Sequence, residues 1–437
     1  MDFTIKDLLR VEVSPALGCT EPVAVALAAS AAASLLPDRG ITSLDVQVDP
    51  NVFKNGLAVI IPGTEGLRGL DLAAALGALG GKPENRMQVL DTVTPELVDR
   101  ARALLNTRSI NVFLDPDAHG LSIRARVATR TDKAEAVVQG AHDAITALVL
   151  NGQSVHDHPL LSTSQGSGKD VLALENWLRA QSLDHLYGLL QGLDEEDLAF
   201  LKQGVEMNLR LAEFGLAHGS GLGVGRALSS LAEQGPLQAD MILRAKILTA
   251  AAADARMAGA PLPAMSSAGS GNNGLTSILP VWAAAQSGSC RERTALEAIA
   301  LSHIITAAIK THTGKLSAVC SCSLAAGAGS AAGIVHMHGG TIQEIAGAIG
   351  NLVEDLGGVI CDGAKGGCAL KLATAAGSAV QAALLALHGV AAPAVEGILG
   401  HTPDQTMVNL GRLCREGMGS TGRTILNILL DKNPAVQ

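Results

Sequence analysis

The sequence predicts an α+β protein in which an N-terminal module of helices and strands is followed by a larger all-helical domain. The chain has 437 residues, which is long enough for two domains. It is 48% apolar but only 2% aromatic and contains 49 glycines, a composition that favours closely packed helices over an aromatic-rich sheet sandwich. Runs with strand character lie before residue 130, whereas apolar residues recur at helical spacing from Val171 nearly to the end.

The first module is predicted to contain a long helix that begins near Thr20. Ser14 followed by Pro15 has the pattern of an N-cap and first-turn pair, and Thr20-Glu21-Pro22 offers a second start. Residues 23–36 then form a helical run. The later elements are predicted as strands over 43–50, 56–63, 110–115 and 121–129 and as helices over 70–79 and 132–150.

The two modules are expected to meet at a polar segment over 151–170. This segment contains glycine, serine and proline and lacks the apolar periodicity of its neighbours. We therefore predict an α+β domain over 1–165, which includes the helix entrance at Gly18-Cys19-Thr20, and an all-helical domain over 170–437.

Charge and composition argue against nucleic acid and membrane partners. The net charge is −9, and five Phe, two Trp and one Tyr are too few for a platform on which bases stack. The uncharged stretch 316–335 is mostly Ala, Gly, Ser and Cys, which favours a buried helix over a membrane span. The N-terminus MDFTIKDLLRVEVS does not resemble a secretory signal, so we expect a cytoplasmic protein.

Four of the seven cysteines lie between positions 320 and 368, which makes a metal or redox site a hypothesis to test. Cys361 and Cys368 bracket the loop CDGAKGGC, whose glycines allow it to fold around an inorganic centre. Cys320 and Cys322 would point about 200 degrees apart on a helix, so at most one is expected to face a given site. The alternative is that these cysteines are simply small buried side chains.

A second candidate site is the loop SSAGSGNNG, residues 266–274. Its backbone N–H groups and amides are the donors that a carboxylate or phosphate needs. The loop also resembles the Ser-Gly-Asn loop of pyridoxal-phosphate dehydratases, but the lysine motif of that family is missing near the N-terminus. The alternative is a flexible connection between helices.

Cys19 is a third candidate because it lies at a predicted helix N-terminus. Aligned backbone dipoles there favour a thiolate, so Cys19 is a candidate base or nucleophile. The competing interpretation is a buried small residue beside a cap.

Together these motifs resemble a known family. LGCTEPVAVALA, NVFKNGLAVIIPGTEG, DARMAGAPLPAMSSAGSGNNG, KLSAVC and GVICDGAKGGCALKLATAAGSA follow one another over nearly the whole chain and resemble the L-cysteine desulfidase family, which is related to the iron-sulfur L-serine dehydratase alpha chains. One departure is Lys315, which stands where the family pattern has Arg before LSA. A second is Cys322, whose closeness to Cys320 leaves open which of the two is a ligand.

The resemblance implies a lyase with a [4Fe-4S] cluster held by Cys320, Cys361 and Cys368. An open iron would bind a small amino acid and help to expel its β-substituent, giving pyruvate, ammonia and hydrogen sulfide from L-cysteine, or water as the leaving group from L-serine. Cys19 would be the base that removes the α-proton. The substrate would be held by Lys54, Asn55, Ser267, Gly269, Ser270, Gly271 and Asn272.

Two other classes are considered beside this lyase. One is a non-catalytic iron-sulfur or redox-sensing protein, although a sensor has no use for a carboxylate-binding loop. The other is a pyridoxal-phosphate lyase. The sequence leaves the choice between cysteine and serine open, and a homo-oligomer is compatible with it.

Overall fold

A computed structural model describes residues 2–118, 120–161, 168–288, 290–314, 317–394 and 397–432, and it confirms the α+β class. The strands are β1 (Pro15–Leu17), β2 (Ser43–Val48), β3 (Ile110–Leu114), β4 (Ser122–Ala128), β5 (Lys133–Gln139), β6 (Ile145–Leu150), β7 (Gln153–Ser154) and β8 (Pro263–Met265). The helices of the first part are α1 (Ile5–Glu12), α2 (Thr20–Ser34), α3 (Pro50–Gly56), α4 (Leu70–Gly80) and α5 (Pro95–Asn106), with a 3-10 helix over Pro83–Gln88.

The rest of the described chain is mostly helical. Its helices are α6 (Gly168–Arg179), α7 (Leu183–Gly188), α8 (Glu195–His218), α9 (Val224–Glu233), α10 (Met241–Met257), α11 (Gly271–Ser287), α12 (Glu292–Thr313), α13 (Ser321–Met337), α14 (Ile342–Leu356), α15 (Cys368–Leu387), α16 (Pro403–Arg412) and α17 (Gly419–Lys432). Leu189–Gly192 forms a 3-10 helix and Leu413–Gly417 a π-helical turn.

The main sheet has the strand order β3-β2-β4-β5-β6-β7. β2 and β3 are parallel, so the chain crosses between them through α3, α4 and α5, and the other neighbours are antiparallel. Apolar residues alternate with polar ones along β2 and β4, and the apolar set is buried against α2. The polar set, which includes Gln47 and Arg124, lies on the other face of the sheet.

Three predictions about this module were wrong. Residues 132–150 form the β5–β6 hairpin and not a helix, because KAEAVVQ and ITALVL carry β-branched residues on both sides of a turn in which Gly140 has φ +82°. The segment 56–63 is not a strand: α3 extends to Gly56, and only an isolated bridge pairs Ile60 with Arg68. Pro15 begins β1 and not a helix.

The predicted helix after Thr20 is present as α2, and it is enclosed on all sides. Its residues from Thr20 to Ala33 are buried between the sheet and α4. Close approach of α4 requires a glycine, since a Cβ at Gly77 would lie 2.2 Å from the Ala26 carbonyl oxygen. The first residues of α2 are therefore held rigidly at the edge of this core.

The helical region packs around α13, which contacts α11, α12, α14 and α15. Residues 323–335 of α13 are buried, which confirms the prediction of a buried helix in the uncharged stretch. Among the described residues one helix, α15, is long and apolar enough to cross a membrane by composition, and 56% of its apolar window is buried inside the protein.

A pair of short strands joins two of the functional loops. β1 pairs antiparallel with β8, and the Ser266 and Ala268 amides then donate to the carbonyl oxygens of Ser14 and Glu12. This joins the segment before Cys19 to the SSAGSGNNG loop. At both chain ends the packing crosses the predicted domain division: α1 lies in the core of the helical region, and Leu426 of α17 lies in the core of the sheet. The domain boundaries themselves stay a prediction.

Candidate functional site

A cavity between the two parts of the chain brings the predicted motifs together. Its volume is about 90 Å³, on a scale where one water needs roughly 10–15 Å³. It is lined by Cys19, Thr20, Glu21, Asn55, His142, Arg256, Gly269, Ser270, Asn272, Lys310, Ser317, Val319, Cys320, Ser321, Cys322, Cys361, Gly363, Ala364, Cys368, Lys371 and Leu372. Segments more than 300 positions apart in sequence therefore meet in one site.

Local backbone structure brings Cys320, Cys361 and Cys368 to this cavity. An isolated antiparallel bridge pairs Val319 with Ile360, so that the Cys320 amide donates to the Val359 carbonyl at 2.8 Å and the Cys361 amide donates to the Ala318 carbonyl at 2.7 Å. Cys320 is the N-cap of α13, and Cys368 is the first residue of α15. Two of the three thiols thus lie at helix N-termini, where negative charge is favoured.

The expectation that only one of Cys320 and Cys322 faces the site was wrong. Both line the cavity, and each thiol shifts the pKa of the other. Cys320 has extended backbone angles, φ −71° and ψ 99°, because it precedes the helix. The rotation of 100° per residue that separates neighbours on a helix therefore does not apply to this pair.

The four thiols differ in how their surroundings treat a negative charge. The hydrogen bond from Cys322 is the main reason that the pKa of Cys320 falls to about 6, and the same bond raises the pKa of Cys322 well above its ordinary value. Burial raises the pKa of Cys361, and it raises the pKa of Cys368 to about 11. The positive charge of Lys371 lowers the pKa of both Cys320 and Cys361, because it favours their thiolates.

These residues fit an iron-sulfur cluster better than a single ion. In the described part of the chain no group of three or more His, Cys, Asp or Glu side chains converges to hold one metal ion. Five cysteines, Cys19 among them, nevertheless line one cavity, and the burial that disfavours the thiolates of Cys361 and Cys368 would be offset by a cationic iron centre. Thiolates are soft donors, which suits the irons of a cluster.

The turn of the CDGAKGGC loop has room only for a glycine at position 363. Gly363 has φ +95°, and a Cβ there would lie 2.6 Å from the Lys54 carbonyl oxygen. Lys54 in turn donates from Nζ to the Cys361 carbonyl at 3.3 Å. The loop that carries Cys361 is therefore fitted against the segment NVFKN.

We expect Gly363→Ala to destabilise this loop. Steric overlap and the left-handed φ together should lower the free energy of unfolding by about 1–3 kcal/mol, as measured by urea denaturation. Gly358→Ala is the matched control because a Cβ at Gly358 has nothing within 4 Å and needs no positive φ. Equal stability of the two variants would contradict the close fit of the loop.

Cys19 lies in the same site, as the N-cap of α2. It packs in an apolar cluster with Val59 and Met257, against which Cys368 also packs. Its thiol donates to Glu21 Oε2 at 3.0 Å. A functional role for Cys19 requires this closeness to the cluster cysteines.

The helix N-terminus favours the thiolate of Cys19, as predicted, but its other surroundings favour the thiol. Burial and the neighbouring Glu21 carboxylate raise the pKa of Cys19 well above its ordinary value, which outweighs the helix N-terminus. Burial alone would also raise the pKa of Glu21, but the charge of His142 and the hydrogen bonds from Cys19 and Asn55 lower it overall. At neutral pH the pair is therefore a thiol that donates to a carboxylate.

The SSAGSGNNG loop contributes Gly269, Ser270 and Asn272 to the cavity, beside Arg256. Arg256 is buried, donates to Asn272 Oδ1 at 2.9 Å and donates to the Gly18 carbonyl. Gly271 is required next to it, since a Cβ there would lie 2.4 Å from Arg256 Nε.

Three predicted substrate-binding residues do not line the cavity. Ser267 is fully buried, and its hydroxyl is 2.8 Å from His303 Nδ1. Gly271 lies under Arg256, and the Nζ of Lys54 is directed to the Cys361 carbonyl. Asn55 does line the cavity, where it donates to Glu21 Oε1 at 2.8 Å. Lys315 lies outside the described residues.

Sequence reasoning missed several charged or polar residues of the site, among them Glu21, His142, Arg256 and Lys371. Glu21 and Arg256 were inside quoted motifs, and their signal is an ionisable residue within an otherwise apolar, alanine-rich run. His142 lies between β5 and β6, so the mistaken helix over 132–150 concealed it. Lys371 donates to the Ile360 carbonyl at 2.8 Å and to Asp362.

Comparison with known proteins identifies the class. A model of the family described as serine dehydratase alpha chain matches residues 84–427. The UPF0597 protein of Desulfatibacillum aliphaticivorans is 55% identical over 434 residues, 99% of each chain. That of Desulforapulum autotrophicum is 51% identical over 99% of this chain and 98% of its own, and that of Clostridioides difficile is 41% identical over 98% and 99%.

The chain therefore belongs to the serine dehydratase alpha chain family, which confirms the resemblance found in its motifs. This places it in a lyase-type family. The relatives carry a family label that names no substrate or reaction.

Proposed function

We propose that the protein is an iron-sulfur-dependent lyase that removes the β-substituent of a small amino acid, most readily L-cysteine, to give pyruvate, ammonia and hydrogen sulfide. The observation that carries this proposal is the meeting of Cys320, Cys361 and Cys368 with Cys19 in one buried cavity. A small free amino acid in the cytoplasm is the expected partner.

Cys320, Cys361 and Cys368 would hold a [4Fe-4S] cluster through three of its irons. When bound, the cluster supplies a Lewis-acidic iron that polarises the β-substituent and neutralises the charge that develops as it leaves. Thiolate is a soft leaving group, which favours cysteine over serine at iron. Ser323, which donates to the Cys320 sulfur at 3.4 Å, and the neighbouring Cys322, which lowers the pKa of Cys320, would stabilise the negative charge on that ligand.

Cys19 would remove the α-proton of the substrate. It would act as the thiolate, which the nearby positive charge of Arg256 favours, and Glu21 Oε2 at 3.0 Å would hold the sulfur in position and stay ionised. A nucleophile or base whose partner is held by further hydrogen bonds is the usual arrangement of an activated group. Here Thr20 and Asn55 donate to the same carboxylate, at 3.0 Å and 2.8 Å.

L-Serine dehydratase activity is the second candidate, since the family described by the matching model carries that name. The two substrates differ in the leaving atom, and the same residues would serve both. A redox sensor would not need the buried Arg256 and the polar loop beside it.

The test is an anaerobic assay of the protein reconstituted with iron and sulfide, using L-cysteine, L-serine and other β-substituted amino acids. We expect pyruvate and sulfide in equal amounts from L-cysteine, and loss of activity on exposure to air because an open iron is accessible to oxidants. Full activity of iron-free, air-exposed protein would contradict the proposal. A yellow protein whose chromophore shifts with added amine would instead indicate pyridoxal phosphate.

A further inference from the structure

We propose that the cavity recognises an α-amino acid by both of its charges, with Glu21 binding the ammonium group and Arg256 binding the carboxylate on either side of Cys19. This inference rests on the proposed function and names the residues that select the substrate class. The sequence motifs predicted that Lys54 and Ser267 bind the substrate. The inference assigns this role to two buried charged residues, Glu21 and Arg256, instead.

Glu21 has an acceptor position left for a substrate. A carboxylate offers about four acceptor positions. Three are used in the described structure, by Cys19 and Thr20 at Oε2 and by Asn55 at Oε1. Glu21 lines the cavity, so the remaining position at Oε1 is available to a donor that enters there. The lowered pKa of Glu21 keeps it negative.

Arg256 has donors left for an anion. A guanidinium carries five N–H groups and stays charged in proteins. One group from each terminal nitrogen is used, toward Asn272 and the Gly18 carbonyl, and buried Nε has no hydrogen-bond partner among the described residues. The side chain is only 4% exposed and lines the cavity, so it is a fixed cation with unused donors at a place that a ligand can reach.

The hydrogen-bond partners of both groups are neutral, and the opposite charge that acts on Glu21 is that of His142. Cys19, Thr20 and Asn55 hold Glu21, and an amide and a backbone carbonyl hold Arg256. Burial of a charge is costly unless an opposite charge offsets it. A zwitterion that spans the two sites supplies both opposite charges at once.

Cys19 lies next to both charged groups, which fits a base that acts at the α-carbon of such a ligand. Arg256 contacts the residue before Cys19, and Glu21 accepts from Cys19 itself. The two charges also act in opposite directions on the Cys19 thiol, which both of them therefore approach. With the ammonium and carboxylate fixed on two sides, the α-hydrogen of one enantiomer points toward the sulfur. The arrangement thus accounts for both selectivity and the direction of proton removal.

The test uses the reconstituted holoenzyme and two thiols that each lack one charge: 3-mercaptopropionate, which has no ammonium group, and cysteamine, which has no carboxylate. In the wild-type protein we expect each to bind at least about tenfold more weakly than L-cysteine, because a charge-assisted hydrogen bond is lost. Equal binding of all three compounds would overturn the inference, and this arm needs no variant.

The second arm uses Glu21→Gln, with inhibition constants and calorimetric binding as readouts. Removal of the charge should raise the KM for L-cysteine at least about tenfold and leave the affinity for 3-mercaptopropionate within about twofold. Arg256→Gln should likewise raise the KM for L-cysteine, but it should leave the affinity for cysteamine, which has no carboxylate, within about twofold. Glu135→Gln is the matched control, since Glu135 pairs with Arg124 and Arg126 on the polar sheet face.

The outcomes separate this inference from the proposed function. If the protein binds no cluster and releases no pyruvate, the proposed function is wrong, whatever the Glu21→Gln variant shows. A protein that loads the cluster and turns over L-cysteine, but whose Glu21→Gln variant loses affinity equally for L-cysteine and 3-mercaptopropionate, contradicts the zwitterion site alone.

Discussion

Replacement of Cys320, Cys361 or Cys368 by alanine is expected to strip the iron from the reconstituted protein and abolish pyruvate release. A cluster that is held by three thiolates has no spare protein ligand, so loss of one should cost at least the roughly 10–100-fold in metal affinity that is typical of weaker outer-shell changes. Iron and acid-labile sulfide per chain, measured after gel filtration under nitrogen, give the result directly.

The controls for this experiment are the cysteines outside the cavity. Cys290 lies near the start of α12, and its thiol donates to the Arg291 carbonyl at 3.4 Å, so Cys290→Ala should retain its iron. Cys322→Ala is the informative intermediate, because Cys322 lowers the pKa of Cys320 and shares the cavity. We expect that variant to keep a cluster that is lost more quickly. Iron content at the wild-type level in all three ligand variants would contradict the proposed cluster site.

Replacement of Cys19 by serine should lower turnover and leave the cluster in place. A positioned acid-base group contributes about 10²–10⁴-fold in rate, and the loss should fall on kcat because proton transfer occurs in the transition state. Serine is near in size to cysteine, so the fold should survive. Pyruvate release per iron-loaded molecule is the measurement. Cys414→Ser is the matched control, since Cys414 is a buried thiol away from the cavity.

Three outcomes of the Cys19 experiment are distinguishable. A kcat per folded molecule close to wild type, with only a lower unfolding free energy, would show that Cys19 is a packing residue. A cluster that becomes labile in the absence of substrate would show that Cys19 is instead a temporary fourth ligand. Low kcat with a stable cluster is the result that supports a base.

The sequence was sufficient for the fold class and for much of the site. Helix α2 and the glycine-rich loop before Cys368 follow from local signals, namely an apolar run after Thr20 and three glycines between two cysteines. The hairpin over 132–150 was missed because its alanines favour a helix, which outweighed its β-branched residues in the sequence, and the pairing of β4 with β5 decides for strands. Tertiary contacts override weak local preferences there.

The charged half of the site was not predictable from motifs. Glu21 and Arg256 are ordinary surface residue types, and only the packing shows that both are buried at one cavity. The orientation of Cys320 depends likewise on the bridge between Val319 and Ile360, which joins positions far apart in sequence. Register of this kind is set by the fold and not by spacing along the chain.

We propose that Cys320, Cys361 and Cys368 hold a four-iron cluster with one iron open to substrate. Mössbauer spectroscopy of the ⁵⁷Fe-reconstituted protein, with and without L-cysteine, tests it most directly, since the method resolves the individual irons. We predict a [4Fe-4S] spectrum in which the signal of one iron in four changes when L-cysteine is added. A spectrum with no four-iron cluster, or one that L-cysteine leaves unchanged at saturating concentration, would contradict the claim.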